Sequence, residues 1–322
     1  MRYVLAALKL VISIGLLYFA FTQSDFSSIW PRLQGLGIAW AVVTLAILLC
    51  QQLLVSIRWR EIATSCGAQL PLGSAFRWSL ISAFFNQVLP STVGGDAVRI
   101  WLFARDGAGW PKATYSVLLD RFVGVLVLAL IVVLCLPWAF QVIQNPFGRM
   151  VLVAIGCGSI AAGLGFLALG SRDWKRAQAF WPTRHILRLA NTAVGLFKQP
   201  LPVAVVMTVS IATHLLTATA AWSLAQAAGI AFGFVNSLLL VLPVMLIAAV
   251  PISIAGWGVR ESALMVAFGY AGLSQNDGLL LSLLFGASSF LVGVLGGATW
   301  FLSGSSVPIA RIPEPNLPDE SK

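Results

Sequence analysis

Charged side chains are scarce in this chain of 322 residues, where Asp, Glu, Lys and Arg together make up 10%. A soluble domain carries roughly 25% charged residues, so the sequence excludes that class. Apolar residues make up 59% of the chain and the mean hydropathy is +0.90. One soluble core cannot bury that much apolar surface, so most of it must face lipid. Because the apolar runs are continuous and do not alternate, a β-barrel is excluded too, and we predict an all-α polytopic membrane protein.

Residues and motifs that build metal sites, disulfides or active sites are also few. The four cysteines are widely spaced and form no CxxC or Cys/His pattern, so we expect no metal, no cofactor and no disulfide. The sequence contains no HExxH, G-x-S-x-G, Walker A or dinucleotide motif, so we expect no enzyme. The net charge of +9 comes from basic residues in short loops between apolar runs. That distribution excludes a nucleic-acid partner.

Six apolar segments are long enough to cross a bilayer, which takes about 20 residues. They are roughly residues 3–22, 38–57, 113–139, 150–170, 201–228 and 278–302. No A-x-A-like cleavage site follows the first segment, so we predict a retained span and not a signal peptide. Two further apolar stretches, about residues 72–105 and 234–272, are each interrupted by a Pro/Gly cluster. Such a break at membrane depth is tolerated only where protein or water shelters the freed backbone.

The basic residues predict the orientation. With a cytoplasmic N-terminus and each broken stretch entering and leaving by one face, all but five of the 20 Lys and Arg residues face the cytoplasm, as the positive-inside rule requires. In the basic loop of residues 171–199, Ile186, Leu189, Ala193 and Phe197 recur at helical spacing. They predict a short amphipathic helix on the inner leaflet. The proline-rich residues 303–322 are predicted to be a disordered cytoplasmic tail.

The two broken stretches carry the same pattern. PSTVGGDAVR at residues 90–99 aligns without a gap to PISIAGWGVR at residues 251–260, about half the chain away. The predicted structural breaks are Pro90, Gly94 and Gly95 in the first stretch and Pro251, Gly256 and Gly258 in the second. We therefore predict two repeats, about residues 1–145 and 146–302, within a single membrane domain of residues 1–302.

Each predicted repeat holds three full spans and one re-entrant hairpin of broken helix. Because three is odd, the repeats have opposite topology, and their broken tips should meet near the midplane. Inverted repeats with discontinuous central helices are typical of transporters, whose substrate site usually lies there. The alternative is a bundle of about eight spans with parallel halves, in which the two kinks merely look alike.

Two arginines at equivalent positions are the main candidates for ligand binding. After each break a helix is expected to begin near residues 95–98 and 256–259, and helix N-termini favour an anion. Arg99 and Arg260 lie on those first turns, and arginine binds phosphate bidentately, which predicts a lipid phosphate. The nearby Asp96 and Glu261 either contact the ligand or form structural ion pairs with these arginines.

Other polar and aromatic candidates lie in or beside the apolar runs. Asp120 and Arg121 are intramembrane charges, which usually face the bundle interior. They form either a fixed pair or a proton-linked or headgroup-binding site. Asn86 and Gln87 precede the first break, and they either bind headgroup hydroxyls or satisfy the broken backbone. Trp257 lies inside the second break, where it could gate or line a cavity.

Two further features concern the later spans. His214 lies well inside the fifth span, where it either relays protons or hydrogen-bonds a neighbouring helix. Small residues in the last span (Gly286, Gly293, Gly296 and Gly297) predict close helix packing.

Three motifs in combination connect the chain to a known family. They are N-x-x-x-P-x-x-x-G-G-D at residues 86–96, L-D-R at residues 119–121 and P-x-x-x-x-G-x-G-x-R-E at residues 251–261. With them the chain, up to about residue 302, resembles the transmembrane flippase-like domain of bacterial lysylphosphatidylglycerol synthases and its stand-alone relatives. The resemblance implies a membrane domain that moves a lipid between leaflets. In the synthases a soluble aminoacyltransferase domain follows, whereas this chain stops about twenty residues after its last span, so we expect no synthase activity.

Three functions therefore stay open. The first is a flippase or transporter of the bacterial inner membrane, with cytoplasmic termini, that moves an anionic or glycosylated lipid of the phospholipid, polyprenyl-phosphate or hopanoid class. The second is a membrane scaffold that uses residues 171–199 to recruit a glycosyltransferase or lipid-modifying enzyme. The third and weakest is an integral membrane transferase with Asp96 or Asp120 as base, because the sequence offers no nucleotide or metal site.

Overall fold

The computed structural model describes residues 31–302 except 90–92, 173–179 and 251–255, together with residues 15, 18 and 22. The predicted tail, Pro90 and Pro251 lie outside the described residues, as does the predicted first span apart from residues 15, 18 and 22. All regular secondary structure in the described ranges is helical, which confirms the predicted all-α class.

Eleven helices follow one another along the described part of the chain. They are α1 (Ile38–Ser65), α2 (Leu72–Val88), α3 (Gly94–Phe103), α4 (Trp110–Leu134), α5 (Leu136–Val142), α6 (Pro146–Gly170), α7 (Trp181–Phe197), α8 (Pro200–Ala227), α9 (Phe234–Ala248), α10 (Val259–Tyr270) and α11 (Gln275–Leu302). Five of them, α1, α4, α6, α8 and α11, are long and apolar enough to cross a membrane. They correspond to the second through sixth predicted spans, so the prediction of a multi-pass membrane protein is confirmed.

The third predicted span is placed too far along the chain. The helix α4 begins at Trp110 and ends at Leu134, and the separate helix α5 starts at Leu136 with Pro137 in its first turn. Proline has no N–H to donate and its ring clashes with the preceding turn, so it starts helices and does not continue them. The apolar residues up to Ala139 therefore belong to a second helix.

The predicted amphipathic helix of the basic loop is present as α7, and its predicted apolar stripe lies on the side that faces the bundle, where Ala193 is buried and Leu189 is partly buried in the same cluster. Ile186 is 49% exposed, whereas Leu187, Ala190, Ala193 and Leu196 are buried. This stripe packs against apolar side chains of α1, α4 and α8. The buried face is set by the neighbouring helices, and the loop sequence contains no information about which neighbours it meets.

The helix order of the first half recurs in the second half. A long helix, a shorter helix, a break and two more helices form α1 to α4, and the same order forms α8 to α11. The starts of α1 and α8 are residues 38 and 200, and those of α2 and α9 are residues 72 and 234. The helix α1 packs along its counterpart α8, and α2 packs along α11. Each half therefore contributes one helix of each pair to the centre of the bundle.

Both predicted breaks interrupt a helix, and glycine is required at each for a different reason. The second break separates α9 from α10, where Gly256 and Gly258 have φ of 81° and 85°, a region that residues with a Cβ rarely adopt. The first separates α2 from α3. A Cβ on Gly95 would lie 2.2 Å from the carbonyl oxygen of Ser82, so only glycine allows α3 to begin this close to α2.

Close packing of the last helix, predicted from its glycines, occurs against α2. A Cβ on Gly296 would lie 1.9 Å from the carbonyl oxygen of Leu80, and one on Gly297 would lie 2.9 Å from the ring of Phe84. The backbones of α2 and α11 therefore meet without side chains between them. This contact forms one side of the site described next.

Candidate functional site

Five charged side chains form an unbroken series of contacts, called here the Arg–Asp chain: Arg58, Asp120, Arg99, Asp96 and Arg121. Arg58 Nε donates to Asp120 Oδ1 at 2.7 Å, and Arg99 donates through Nη1 and Nη2 to Asp120 Oδ2 at 3.3 Å. Arg99 Nη1 also lies 3.8 Å from Asp96 Oδ1. Arg121 Nε donates to Asp96 Oδ2 at 2.5 Å. The Arg–Asp chain links α1, α3 and α4.

Burial makes these pairings necessary. Arg58, Arg99, Asp96 and Asp120 are each no more than 6% exposed, and buried charges persist in proteins when they are paired and hydrogen-bonded. The side chain of Arg121 is 41% exposed. Three arginines face two aspartates, so the Arg–Asp chain carries one excess positive charge.

Arg99 has one hydrogen-bond donor that has no partner in the described part of the protein. Its guanidinium carbon lies 4.0 Å from the ring centroid of Trp59, a cation–π contact that holds the group in place. Its Nε is buried and has no hydrogen-bond partner in the described structure. A buried donor without a partner costs free energy, about 1–3 kcal/mol. The position on the first turns of α3 and the spare donor together favour an anionic ligand.

The pairing within the Arg–Asp chain differs from the sequence-based expectation. Asp120 and Arg121 are consecutive, but Asp120 pairs with Arg58 and Arg99, while Arg121 pairs with Asp96. Asp120 is therefore the nearer partner of Arg99, and Asp96 is the more distant one. Asp120 therefore faces the arginines of α1 and α3, whereas its neighbour Arg121 reaches the carboxylate of Asp96.

Arg58 is the charged residue that sequence reasoning missed. The predicted second span stopped at residue 57, which left Arg58 to the membrane surface, whereas it is buried in α1. Spacing was the available signal. Gln51, Val55 and Arg58 follow one another by four and three residues, which places them on one face of a helix, and all three line the same cavity.

A second charged cluster holds the start of α10. Arg260 Nη2 donates to Glu261 Oε1 at 2.7 Å, and Arg260 Nε donates to Ser282 Oγ at 3.0 Å. The other oxygen of Glu261 accepts the backbone N–H of Gly258 at 2.6 Å, which satisfies an otherwise unpaired donor at the helix start. Arg260 and Glu261 thus form the ion pair given above as the structural alternative. Trp257 lies 5.3 Å from the Arg260 guanidinium.

Two adjoining cavities collect most of the predicted site residues. The larger cavity has a volume of about 420 Å³ and the smaller one about 250 Å³. The predicted residues that line the larger cavity are Asn86, Gln87, Asp96, Arg99, Asp120 and Arg121. Arg260 lines the smaller cavity, which also shares Asn86, Gln87 and Arg121 with the larger one. Glu261 and Trp257 are not among the residues that line either cavity.

Two polar residues of the larger cavity also bond to backbone. Asn86 Oδ1 accepts the N–H of Gly95 at 2.9 Å, so it satisfies the backbone at the start of α3, one of the two roles predicted for it. His214 Nε2 lies 3.0 Å from the carbonyl oxygen of Gly124, which ties α8 to α4. Among the described residues no group of three or more His, Cys, Asp or Glu side chains could hold a metal.

The helices and the charged interior cavity define a multi-pass α-helical membrane protein with a polar site inside its bundle. Residues 6–297 match the family described as the lysylphosphatidylglycerol synthase TM region, and the chain belongs to this family. This match confirms the resemblance seen in the three motifs. The family is a membrane domain related to lipid handling. No curated protein matches the chain.

Proposed function

We propose that the protein moves an anionic or glycosylated lipid between the leaflets of the bacterial inner membrane and performs no covalent chemistry. The observation that carries this proposal is the larger cavity. It lies among the helices of the bundle, the charged residues in its wall carry one excess positive charge, and the buried Arg99 in that wall has a donor without a partner in the described structure. A lipid phosphate supplies the missing negative charge and the missing acceptor.

The proposed path runs between two arginines in equivalent repeat positions. Arg99 lines the larger cavity and Arg260 the smaller, and Arg121 lies in the walls of both. In the proposed inverted arrangement the two broken helices approach from opposite faces of the membrane. Movement of one repeat against the other then exposes the headgroup to each side in turn, as in transporters with discontinuous helices.

Reconstitution tests the proposal directly. Protein in liposomes with a fluorescent anionic phospholipid should speed the exchange of that lipid between leaflets, measured as the fraction quenched by an impermeant reductant. Arg99→Gln should abolish the protein-dependent exchange and Arg260→Gln should reduce it strongly. Arg105→Gln changes an exposed arginine two residues beyond α3 and should leave exchange unchanged. Wild-type exchange in both cavity variants, with the proteins eluting as folded particles, would refute the proposal.

The inverted topology has its own test. Single cysteines at residues 92 and 253, in a background with the four native cysteines replaced, are labelled by impermeant reagents added from one side at a time. Labelling of residue 92 from the cytoplasm and of residue 253 from outside supports two re-entrant hairpins of opposite direction and cytoplasmic termini. Labelling of both from the same side contradicts the inverted arrangement and favours parallel halves.

A scaffold that recruits a glycosyltransferase or lipid-synthesis enzyme is the second candidate. The helix α7 favours it, because Arg184 and Arg188 are exposed one turn apart on the same side of the helix. Replacing Arg184 and Arg188 by glutamate should abolish recruitment and leave lipid exchange intact if both functions exist. If exchange is absent in the wild type and the double variant loses its partner, the scaffold replaces the transporter as the function.

A further inference from the structure

The polar side chains that line the larger cavity are of two unlike kinds, each named here as a wall. The cationic wall is the set of three arginines of the Arg–Asp chain. The neutral wall is a set of uncharged side chains that carry amides and hydroxyls. The residues of this neutral wall used here are Gln51, Gln52, Ser79, Gln87, Thr213 and Thr217. They come from α1, α2 and α8, so the neutral wall is contributed by both halves of the chain.

Several groups of the neutral wall lack partners within the protein. Gln51 Nε2 donates to Thr217 Oγ1 at 2.7 Å, but the side-chain amides of Gln52 and Gln87 make no hydrogen bond to any described residue. The buried hydroxyl of Ser79 has no partner there either. An amide offers two donors and one acceptor oxygen. Hydroxyl groups, which both donate and accept, satisfy such a surface without bringing any charge.

Carboxylates that could receive an ammonium group are already occupied. Asp96 and Asp120 are the acidic residues in the wall of the larger cavity, and each lies within 4 Å of two arginines. A ligand amine would therefore meet the excess positive charge of the Arg–Asp chain with no free acid to offset it. Like charges at short range inside a protein repel strongly because screening is weak.

We propose that the larger cavity selects a phosphodiester lipid whose headgroup is uncharged and rich in hydroxyls, and that it rejects lipids with an amine in the headgroup. This inference rests on the proposed function and narrows its substrate class. The phosphate binds the cationic wall at Arg99, and the hydroxyls bind the amides of Gln52 and Gln87. The hydroxyls can belong to a glycerol headgroup of a phospholipid or to a sugar on a polyprenyl phosphate.

Titration with lipids that have equal acyl chains distinguishes the contribution of the cationic wall to the affinity from that of the neutral wall. Full-length protein in detergent is titrated with phosphatidylmethanol, phosphatidylglycerol and phosphatidylethanolamine, and bound lipid is counted by native mass spectrometry. Phosphatidylmethanol has the phosphodiester without hydroxyls and reports the cationic wall alone. Phosphatidylglycerol should bind about tenfold more tightly than phosphatidylmethanol through added hydrogen bonds. Phosphatidylethanolamine should bind about tenfold more weakly than phosphatidylmethanol.

A further arm identifies the source of the hydroxyls. A polyprenyl-phosphate monosaccharide is compared with phosphatidylglycerol in the same titration. Tighter binding of the sugar lipid supports the inference with a glycosylated carrier as ligand, and tighter binding of phosphatidylglycerol supports it with a glycerophospholipid.

Changing the charge of the neutral wall should invert the preference. Gln52→Glu keeps the side-chain shape and adds a carboxylate, so phosphatidylethanolamine should become the tighter ligand and phosphatidylglycerol the weaker one. Gln87→Glu is the second variant, measured in the same way in case the first does not fold. Gln141→Glu places the same charge at an exposed position on α5 and should leave the order of affinities unchanged.

The outcomes distinguish this inference from the function on which it rests. Equal binding of the three phospholipids in the wild type, with binding lost in Arg99→Gln, overturns the headgroup selection and leaves a phosphate site. An unchanged lipid preference in both Gln→Glu variants overturns it as well. Lipid binding that does not depend on Arg99 at all contradicts both the inference and the proposed transport function.

Discussion

The carboxylate of Asp120 holds two buried arginines, so its removal should destabilise the protein strongly. Asp120→Asn keeps the side-chain shape and removes the charge that faces Arg58 at 2.7 Å and Arg99 at 3.3 Å. The two arginines are 6% and 5% exposed, so water from the cavity can replace only part of the interaction with the carboxylate. Breaking a buried ion pair costs about 3–5 kcal/mol, because it leaves an uncompensated charge. We expect a loss of at least about 3 kcal/mol in the free energy of unfolding.

Thermal unfolding in detergent, followed by the fraction that still elutes as a folded particle, measures this loss. One kcal/mol shifts the Tm by about 2–4 °C in a chain of about 150–250 residues. The Asp120→Asn variant should therefore unfold about 6–12 °C below the wild type. Asp106→Asn, at an exposed position after α3, is the matched control and should have the wild-type Tm.

A double variant checks that the stranded charge is the cause. Arg58→Met combined with Asp120→Asn removes one of the two arginines that the single variant leaves unpaired, while Arg99 keeps Asp96 at 3.8 Å. The double variant should therefore be more stable than Asp120→Asn alone, since removing both partners of a buried pair costs less than removing one. A wild-type Tm for Asp120→Asn, or a double variant less stable than the single one, would refute the reasoning.

Three shorter predictions concern packing, capping and reactivity. Gly296→Ala places a Cβ 1.9 Å from the carbonyl oxygen of Leu80 and should lower the free energy of unfolding by about 1–3 kcal/mol. Gly158→Ala is the control, because the position has open space around it, and it should not lower stability. Equal Tm values for the two variants would contradict this prediction. Asn86→Ala removes the acceptor 2.9 Å from the start of α3 and should cost about 1 kcal/mol, seen as a lower Tm. Burial raises the pKa of the Cys66 thiol to about 11. In a variant that keeps this cysteine alone, maleimide labelling should therefore be slow at pH 8 and accelerate toward pH 11, because the thiolate is the reactive form. A labelling rate independent of pH would contradict the prediction.

The class of fold follows from the sequence because the bilayer imposes a length. A helix that crosses the hydrocarbon needs about 20 apolar residues, and the five candidate spans are visible as such runs. Helix ends were harder to place. The apolar run that contains α4 continues past Leu134, and only the position of Pro137 shows that a new helix starts there.

The candidate site was predicted in part, because residue type and position are local while pairing is not. Sequence placed Asp96, Arg99 and Asp120 inside the bundle, since charges in apolar runs usually face the interior. It could not assign their partners. Arg58 and Asp120 are 62 residues apart in the chain and meet because α1 packs against α4. The same limit explains why the sequence did not show which helices α7 packs against.

The packing between the halves constrains how the proposed transport can occur. The helix α2 of the first half packs on α11 of the second, and their backbones come close at Gly296 and the Leu80 carbonyl. We expect this contact to stay closed during transport, so that the two halves pivot on it. Arg121 on α4 and Met245 on α9 lie in the walls of both cavities. Opening between α4 and α9 would join the two cavities without breaking the buried Arg58–Asp120–Arg99 contacts, because these lie wholly within the first repeat. The excess charge that binds the ligand then stays fixed while access to it changes.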